Sequence, residues 1–159
     1  MKHVNFVAEI SANHLGSLSR AHLLVEAVSR AGANSVKLQT YKAETMTLNL
    51  SKFRVSSDHN LWGGVNLYQL YEEAMTPWEW HKELFQHASE LGIEAFSSPF
   101  DRGAVDFLEG LNCPIYKIAS LETGDIDLIS YVASTGKRMI ISTGASTLEE
   151  IERAVEAAE

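Results

Sequence analysis

The sequence predicts an α/β fold made of the first five strand–helix units of a TIM (β/α)8 barrel, incomplete in this chain. Strand-length apolar runs alternate five times with amphipathic helical stretches, which is typical of a parallel sheet covered by helices. In several strands, charged or polar residues occupy one face and apolar residues the other. Neither a Gly-x-Gly-x-x-Gly turn nor a Walker loop, which would favour a nucleotide-binding open sheet, is present.

The element boundaries follow from apolar spacing and from turn residues. Ser19 is a candidate cap for a helix with apolar residues at helical spacing that ends at Gly32. Another helix begins at Thr76 and Pro77, a cap residue followed by proline, and ends at Gly92. Further helices are predicted at 104–111, 125–134 and from 148 onward, and strands at 6–11, 36–40, 93–97, 115–119 and 138–142.

Two connections carry signals of their own. Ser146 or Thr147, together with Glu149 or Glu150, has the pattern of a capping box that opens the last helix. The segment 41–75 is predicted to be irregular. Connections of that length in a compact domain are usually functional or disordered.

Side-chain alternation within the strands distinguishes a barrel from an open doubly wound sheet. Residues two apart face the same way, so Lys37 shares a face with Gln39, and Lys117 with Ala119. An open sheet buries both faces under helices, whereas the inner face of a barrel leads to a mouth where polar groups meet a ligand. We therefore favour a barrel, with a helix-covered apolar face formed by Phe6, Ile10, Val36, Leu38, Tyr116, Ile118, Met139 and Ile141.

Charged residues stand at three strand centres: Glu9, Lys37 and Lys117. A buried ammonium or carboxylate loses much of its hydration free energy unless partners compensate for it. We therefore expect a negative group near Lys117.

Composition limits the partners and the compartment. The net charge of −8, with no run of Lys or Arg, argues against binding to nucleic acid or to an anionic membrane. Cys113 is the single cysteine, which excludes an internal disulfide, suits a reducing compartment and is expected to be buried. No apolar stretch has the length of a membrane span, and the N-terminus leads into a strand rather than an export signal. We expect a cytoplasmic protein.

The number of units bears on domain organisation. Five strand–helix units do not close an eight-stranded barrel, and the sequence ends within or at the end of a helix. We expect residues 1–159 to be the N-terminal catalytic part of a longer protein, and the first and fifth strands to be exposed edges.

Motifs at the strand ends together resemble the sialic acid synthase family, whose members are N-acetylneuraminate synthase-like. They are AEISANH from residue 8, VKLQT from 36, FSSPFD from 96, YKIAS from 116 and ISTGA from 141, and they cover essentially the whole chain in order. Three further stretches resemble the pseudaminic acid synthase branch of that family more specifically: LWGG from residue 61, LYQLY from 67 and TPWEW from 76.

The resemblance implies an activity and an architecture. Members of the family condense phosphoenolpyruvate with an N-acetylated amino-sugar aldehyde to form a nonulosonic acid, and they release phosphate. Full-length members have a complete barrel followed by an antifreeze-like domain. Because this domain covers the active site of a partner subunit, the resemblance implies a homodimer in the full-length form. The resemblance also implies a divalent metal, Mn²⁺ or Mg²⁺, with histidine ligands on later strands that this chain lacks.

The resemblance also assigns roles to residues. Lys117 and Glu9 are the implied catalytic residues; Glu9 would face the acceptor sugar or position the attacking water, or simply pair with Lys37. The implied phosphoenolpyruvate ligands are Lys37, Ser98, Lys117, Ser120 and Ser142. Ammonium and hydroxyl donors can compensate such a trianion. The structural alternative for the serines is hydrogen bonding to the backbone at strand ends.

Other residues have weaker assignments. Gln39 would lie near the sugar or be a core amide, and Asn13 and His14 lie in the first loop on the catalytic face. A lone loop histidine such as His14 is more often exposed and without function. Aromatic residues in the long connection either line the sugar pocket or pack locally: Trp62, Tyr68 and Tyr71. The remaining histidines show no ligand spacing: His3, His22, His59, His81 and His87.

Two other functions remain open. A lysine at a barrel strand centre is also the nucleophile of Schiff-base aldolases. Alternatively, the fragment is inactive and only binds phosphate or self-associates.

Overall fold

The computed structural model describes residues 4–58 and 61–159, so His3 and His59 lie outside the described residues. Its centre is one parallel sheet of five strands in the order β1-β2-β3-β4-β5. The strands are β1 (Val7–Glu9), β2 (Ser35–Thr40), β3 (Glu94–Pro99), β4 (Ile115–Ile118) and β5 (Arg138–Ile141). Every crossover steps in the same direction, whereas a doubly wound sheet reverses at a switch point. The predicted partial barrel is confirmed.

The helices cover one face of this sheet. They are α1 (Leu18–Arg30), α2 (Ala43–Met46), α3 (Leu67–Ala74), α4 (Trp78–Glu90), α5 (Arg102–Glu109), α6 (Ile126–Ala133) and α7 (Leu148–Ala158), with a 3-10 turn at Ser120–Gly124. The predicted capping box is confirmed at Thr147 and Glu150. The prediction that Ser19 caps α1 was wrong, because Ser17 is the extended residue whose hydroxyl accepts from the Arg20 N–H.

The connection between β2 and α4 is more ordered than predicted. It contains α2 and α3, and Asn66 caps α3 by accepting from the N–H groups of Tyr68 and Gln69. Backbone hydrogen bonds also form within the segment before α3. For example, the Val55 N–H donates to the Val65 carbonyl at 2.9 Å. No residue of α3 is fully buried, so this helix lies at the surface of the chain.

The core lies between the sheet and the helices, in two clusters. One packs α1 and α4 against the outer side of the first strands through residues such as Val25, Leu38 and Leu84. The other packs α5, α6 and α7 against β4 through residues such as Leu108, Ile118 and Ile129. The predicted helix-covered face is thus correct except for Phe6, which precedes β1 and is 65% exposed.

The opposite face of the sheet carries the charged strand residues. Val7 and Ile140, which share that face by register with Ser35 and Lys117, are exposed. Cys113 is buried as expected, and its thiol donates to the Ile115 carbonyl at 3.1 Å. Burial raises the pKa of this thiol to about 11.

Candidate functional site

Glu9 and Lys37 form an ion pair across β1 and β2. They are register partners, so their side chains leave the sheet on the same face. The Lys37 ammonium, which is buried, contacts the Glu9 carboxylate and also reaches the Ser98 hydroxyl at 3.5 Å. The structure therefore contains the ion pair between Glu9 and Lys37, which was one of the predicted alternatives for Glu9.

The second lysine acts on the first electrostatically. Burial and, to a smaller extent, the positive charge of Lys117 together lower the pKa of Lys37 to about 8. The contact with Glu9 opposes this by favouring the charged ammonium. Lys37 on β2 and Lys117 on β4, the two strands that flank β3, therefore place two positive charges in one region, which makes that region attractive to an anion.

Glu122 is the negative group that was expected near Lys117. It lies in the 3-10 turn directly after β4. Burial lowers the pKa of Lys117, and the charge of Glu122 raises it. Burial also raises the pKa of Glu122, and its Oε2 atom has no hydrogen-bond partner in the described chain. An acid near Lys117 was predicted from the sequence without this residue being named, and the position of Glu122 shortly after Lys117 in the chain is the signal that could have identified it.

Ser120 and Ser142 lie where the loops after β4 and β5 meet. The Ser120 hydroxyl accepts from the Ala145 N–H at 2.7 Å, which leaves its own hydrogen available to a ligand. Thr123 donates to the Ser142 carbonyl at 2.6 Å, and the Ser142 N–H donates to the Ile118 carbonyl. The predicted serines thus follow adjacent strands and are held by main-chain hydrogen bonds.

The two predicted residues of the first loop, Asn13 and His14, differ in burial. Asn13 is exposed, and its amide donates to the Ile10 carbonyl at 3.0 Å. His14 is fully buried, so the alternative of an exposed loop histidine was wrong. Its Nδ1 accepts from the Gly16 N–H, its Nε2 lies 3.4 Å from the Thr76 hydroxyl, and burial lowers its pKa. His14 therefore ties the first loop to the start of α4.

Gln39 and Ser98 complete the polar face near the carboxyl ends of the strands. They are register partners on β2 and β3. Ser98 is buried and Gln39 is half-buried. The structure thus brings Glu9, Lys37, Gln39, Ser98 and Lys117 to one face, as the alternation predicted.

The chain matches a family of known proteins. The model of the NeuB family matches residues 24–159, which is most of the chain.

The chain belongs to the NeuB family.

Relatives of this NeuB chain include a pseudaminic acid synthase and a legionaminic acid synthase. The pseudaminic acid synthase of Helicobacter pylori is 48% identical over 149 residues, which cover 94% of this chain and 44% of the relative. The N,N'-diacetyllegionaminic acid synthase of Campylobacter jejuni is 34% identical over 158 residues, 98% of this chain and 46% of the relative. The resemblance to sialic acid synthases, and to their pseudaminic acid branch, is confirmed. This chain spans less than half the length of these curated relatives.

A solved structure agrees with the fold of the NeuB chain. The N-acetylneuraminic acid synthetase of Leptospira borgpetersenii, in complex with citrate, superposes with a TM-score of 0.84 at 26% sequence identity. The match covers 98% of this chain and 50% of that one.

The aromatic residues of the long connection in this NeuB chain have different surroundings. Trp62 lines a groove of about 530 Å³ between the first loop and α3, together with Leu15 and Leu70. Tyr71 packs edge-on against the buried Tyr41, with ring centroids 5.8 Å apart, and Tyr68 is half-buried. Tyr71 thus has the packing role that was one of its two predicted alternatives.

The described part of the NeuB chain does not supply a metal centre. Within residues 4–58 and 61–159, no three His, Cys, Asp or Glu side chains are placed to hold a metal ion together. The same residues contain no helix that is both long and apolar enough to cross a membrane.

Proposed function

We propose that the longer protein containing these residues condenses phosphoenolpyruvate with an N-acetylated amino-sugar aldehyde. The product would be a nonulosonic acid, specifically pseudaminic acid, with release of phosphate. The convergence of Lys37 and Lys117 on one face is the observation that carries the proposal. The similarity to pseudaminic and legionaminic acid synthases supports the product class.

The positive face suits phosphoenolpyruvate because this ligand carries a phosphate and a carboxylate close together. We assign its binding to the Lys37 and Lys117 ammonium groups and to the hydroxyls of Ser98, Ser120 and Ser142. Charge-assisted hydrogen bonds of this kind are shorter and stronger than neutral ones. Gln39, Asn13 and His14 are assigned to the sugar side, with His14 acting from the interior through the first loop.

The proposed reaction forms a carbon–carbon bond, adds water at C2 and breaks the carbon–oxygen bond to phosphate. C3 of phosphoenolpyruvate attacks the aldehyde carbon of the open-chain sugar, whose carbonyl oxygen takes up a proton and becomes a hydroxyl. Water then adds to the electron-poor C2. The bond between C2 and the phosphate oxygen breaks, phosphate leaves with the electron pair, and C2 becomes a ketone carbon. Lys117 stabilises the developing negative charge on the phosphate, and Glu9 accepts a proton from the attacking water.

Several parts of the proposal concern the longer protein. Further strand–helix units would complete the barrel, an antifreeze-like domain would follow, and the assembly would be a homodimer. We place the protein in the cytoplasm and propose neither a nucleic-acid nor a membrane partner. Mn²⁺ or Mg²⁺ is proposed as a cofactor, but the described residues offer no complete ligand set, and no step above is assigned to it.

A Schiff-base aldolase is the second candidate, because a lysine with a lowered pKa is a better nucleophile. Borohydride reduction in the presence of pyruvate or the sugar aldehyde distinguishes the two. A synthase leaves Lys37 and Lys117 unmodified in the mass spectrum, whereas an aldolase carries a covalent adduct on one of them.

Phosphate release tests the leading proposal directly. The longer protein, with phosphoenolpyruvate, an N-acetylated amino-sugar aldehyde and Mn²⁺, should release phosphate and form a nonulosonic acid. Residues 1–159 alone should release none, and turnover by them would contradict the proposed need for the rest of the barrel. Absence of turnover in the longer protein would overturn the proposed function.

A further inference from the structure

A chain of buried hydrogen bonds lies behind the candidate site, on the helix-covered side of β2 and β3. The Thr40 hydroxyl lies 2.7 Å from the Ser97 hydroxyl and 2.8 Å from Nε2 of His81. Nδ1 of His81 lies 3.2 Å from the Pro77 carbonyl, one turn earlier in the chain. All three side chains are completely buried, so each polar atom needs a partner within the protein.

The direction of these hydrogen bonds can be deduced for a neutral histidine. A carbonyl oxygen only accepts, so Nδ1 of His81 carries the proton and Nε2 is the acceptor. The Thr40 hydroxyl must then donate to Nε2 and accept from the Ser97 hydroxyl. Burial lowers the pKa of His81 to about 4, which keeps the ring neutral at physiological pH.

Thr40 and Ser97 are sequence neighbours of two assigned ligand residues and face the opposite side of the sheet. Thr40 follows Gln39 on β2, and Ser97 precedes Ser98 on β3. Gln39 and Ser98 are register partners, and β3 ends at Pro99, which has no N–H to add to the sheet. The Thr40–Ser97 hydrogen bond therefore joins the strands just where backbone pairing ends.

We propose that His81 is a positioning residue that fixes the placement of Gln39 and Ser98 through the Thr40–Ser97 hydrogen bond. His81 anchors this bond to the first turn of α4, because its other nitrogen holds the Pro77 carbonyl. The geometric claim is independent of the reaction, whereas its consequence for ligand binding rests on the proposed function. His81 itself touches no reacting atom.

Two matched pairs of variants test the geometric claim. Thr40→Ser keeps the hydroxyl and Thr40→Val removes it at nearly constant shape. His81→Gln can place an acceptor near the position of Nε2, whereas His81→Asn reaches only toward Nδ1 and Pro77. NMR of the wild-type chain should show the Nδ1–H tautomer, with no titration between pH 6 and 8.

Backbone amide shifts provide the main readout. Thr40→Val and His81→Asn should shift the amides of Gln39 and Ser98, whereas Thr40→Ser and His81→Gln should leave them close to wild type. Equal shifts within each pair, or an Nε2–H tautomer, would overturn the inference. If the His81 variants do not fold, the Thr40 pair and the wild-type tautomer still decide it.

Binding of phosphoenolpyruvate gives a second readout in the longer protein. Thr40→Val should weaken the affinity about fivefold, as expected for a net loss equivalent to one hydrogen bond, while Thr40→Ser restores it. Wild-type protein that does not bind phosphoenolpyruvate refutes the proposed function, and the amide shifts then still decide the role of His81. Binding that is equal in both Thr40 variants would contradict positioning.

Discussion

Lys37 and Lys117, which lie far apart in sequence, are close enough that the charge of Lys117 lowers the pKa of Lys37. Two like charges on one face cost free energy unless an anion or a carboxylate compensates. Glu9 and Glu122 provide part of that compensation. The remaining positive potential would attract an anionic ligand.

Binding of phosphoenolpyruvate should weaken as the pH rises through about 8. Lys37 must be protonated to attract the ligand, and its pKa in the free protein is lowered to about 8. Titration calorimetry at pH 6.5, 7.5, 8.5 and 9.5 measures the affinity. The phosphate of the ligand, whose second pKa is about 6, is almost fully ionised at pH 7.5 and above, so a flat profile between pH 7.5 and 9.5 would contradict the role of Lys37.

Stability should also depend on Lys37, with the opposite trend. Its pKa in the folded chain, about 8, is below the value of about 10.4 in an unfolded chain. Between these values the unfolded state binds more protons, so the contribution of this group to the free energy of unfolding rises with pH. The slope is at most about 1.4 kcal/mol per pH unit.

The variant Lys37→Met isolates this contribution, because it keeps the length of the side chain without the charge. Urea unfolding between pH 8 and 10 should show a shallower rise for the variant than for wild type. Identical slopes would mean that Lys37 is not desolvated in the native chain.

Glu122→Gln should lower the pKa of Lys117 further. The carboxylate raises that pKa in the native chain, whereas burial, which opposes it, would remain. NMR titration of the Lys117 side chain measures the effect. Glu90→Gln changes the same charge on an exposed residue of α4, and an equal response to both variants would argue against a specific pair.

His14→Phe should destabilise the chain by about 1–3 kcal/mol, the usual cost of leaving buried polar groups unpaired. The ring fills a similar space, but the Gly16 N–H and the Thr76 hydroxyl would lose their partner. Urea unfolding at pH 7 gives the difference in free energy. A variant as stable as wild type would show that these contacts contribute nothing.

Thr147→Ala should cost about 1 kcal/mol, the usual cost of removing a helix cap. Thr147 accepts from the Glu150 N–H, and its own N–H donates to the Glu150 carboxylate at 2.7 Å. The adjacent Ser146→Ala is the matched control and should be almost neutral. Thermal unfolding of both variants compares them, and equal losses would refute the capping role.

Sequence periodicity predicted the strands and their faces because it is a local property. The alternation of Lys37 with its apolar neighbours places it on the inner face whatever the rest of the chain does. The register of Gln39 with Ser98 follows once the strands are parallel neighbours. This part of the site could be read without coordinates.

Features that depend on distant partners could not be predicted in that way. His14 is buried because Thr76 and Trp80 cover it, and neither is near it in sequence. The role of Thr40 likewise depends on contacts with Ser97 and His81. The misassigned cap, Ser19 in place of Ser17, was a local ambiguity between two serines that flank one leucine.

The buried thiol of Cys113 can serve as a natural probe of unfolding. Cys113 is the single thiol in the sequence, it is fully shielded, and its pKa of about 11 leaves almost no thiolate at neutral pH. A thiol-reactive dye can therefore label the protein only when β4 and its neighbours open. The labelling rate, followed over denaturant concentration, would measure how often that half of the sheet comes apart, with no engineered probe.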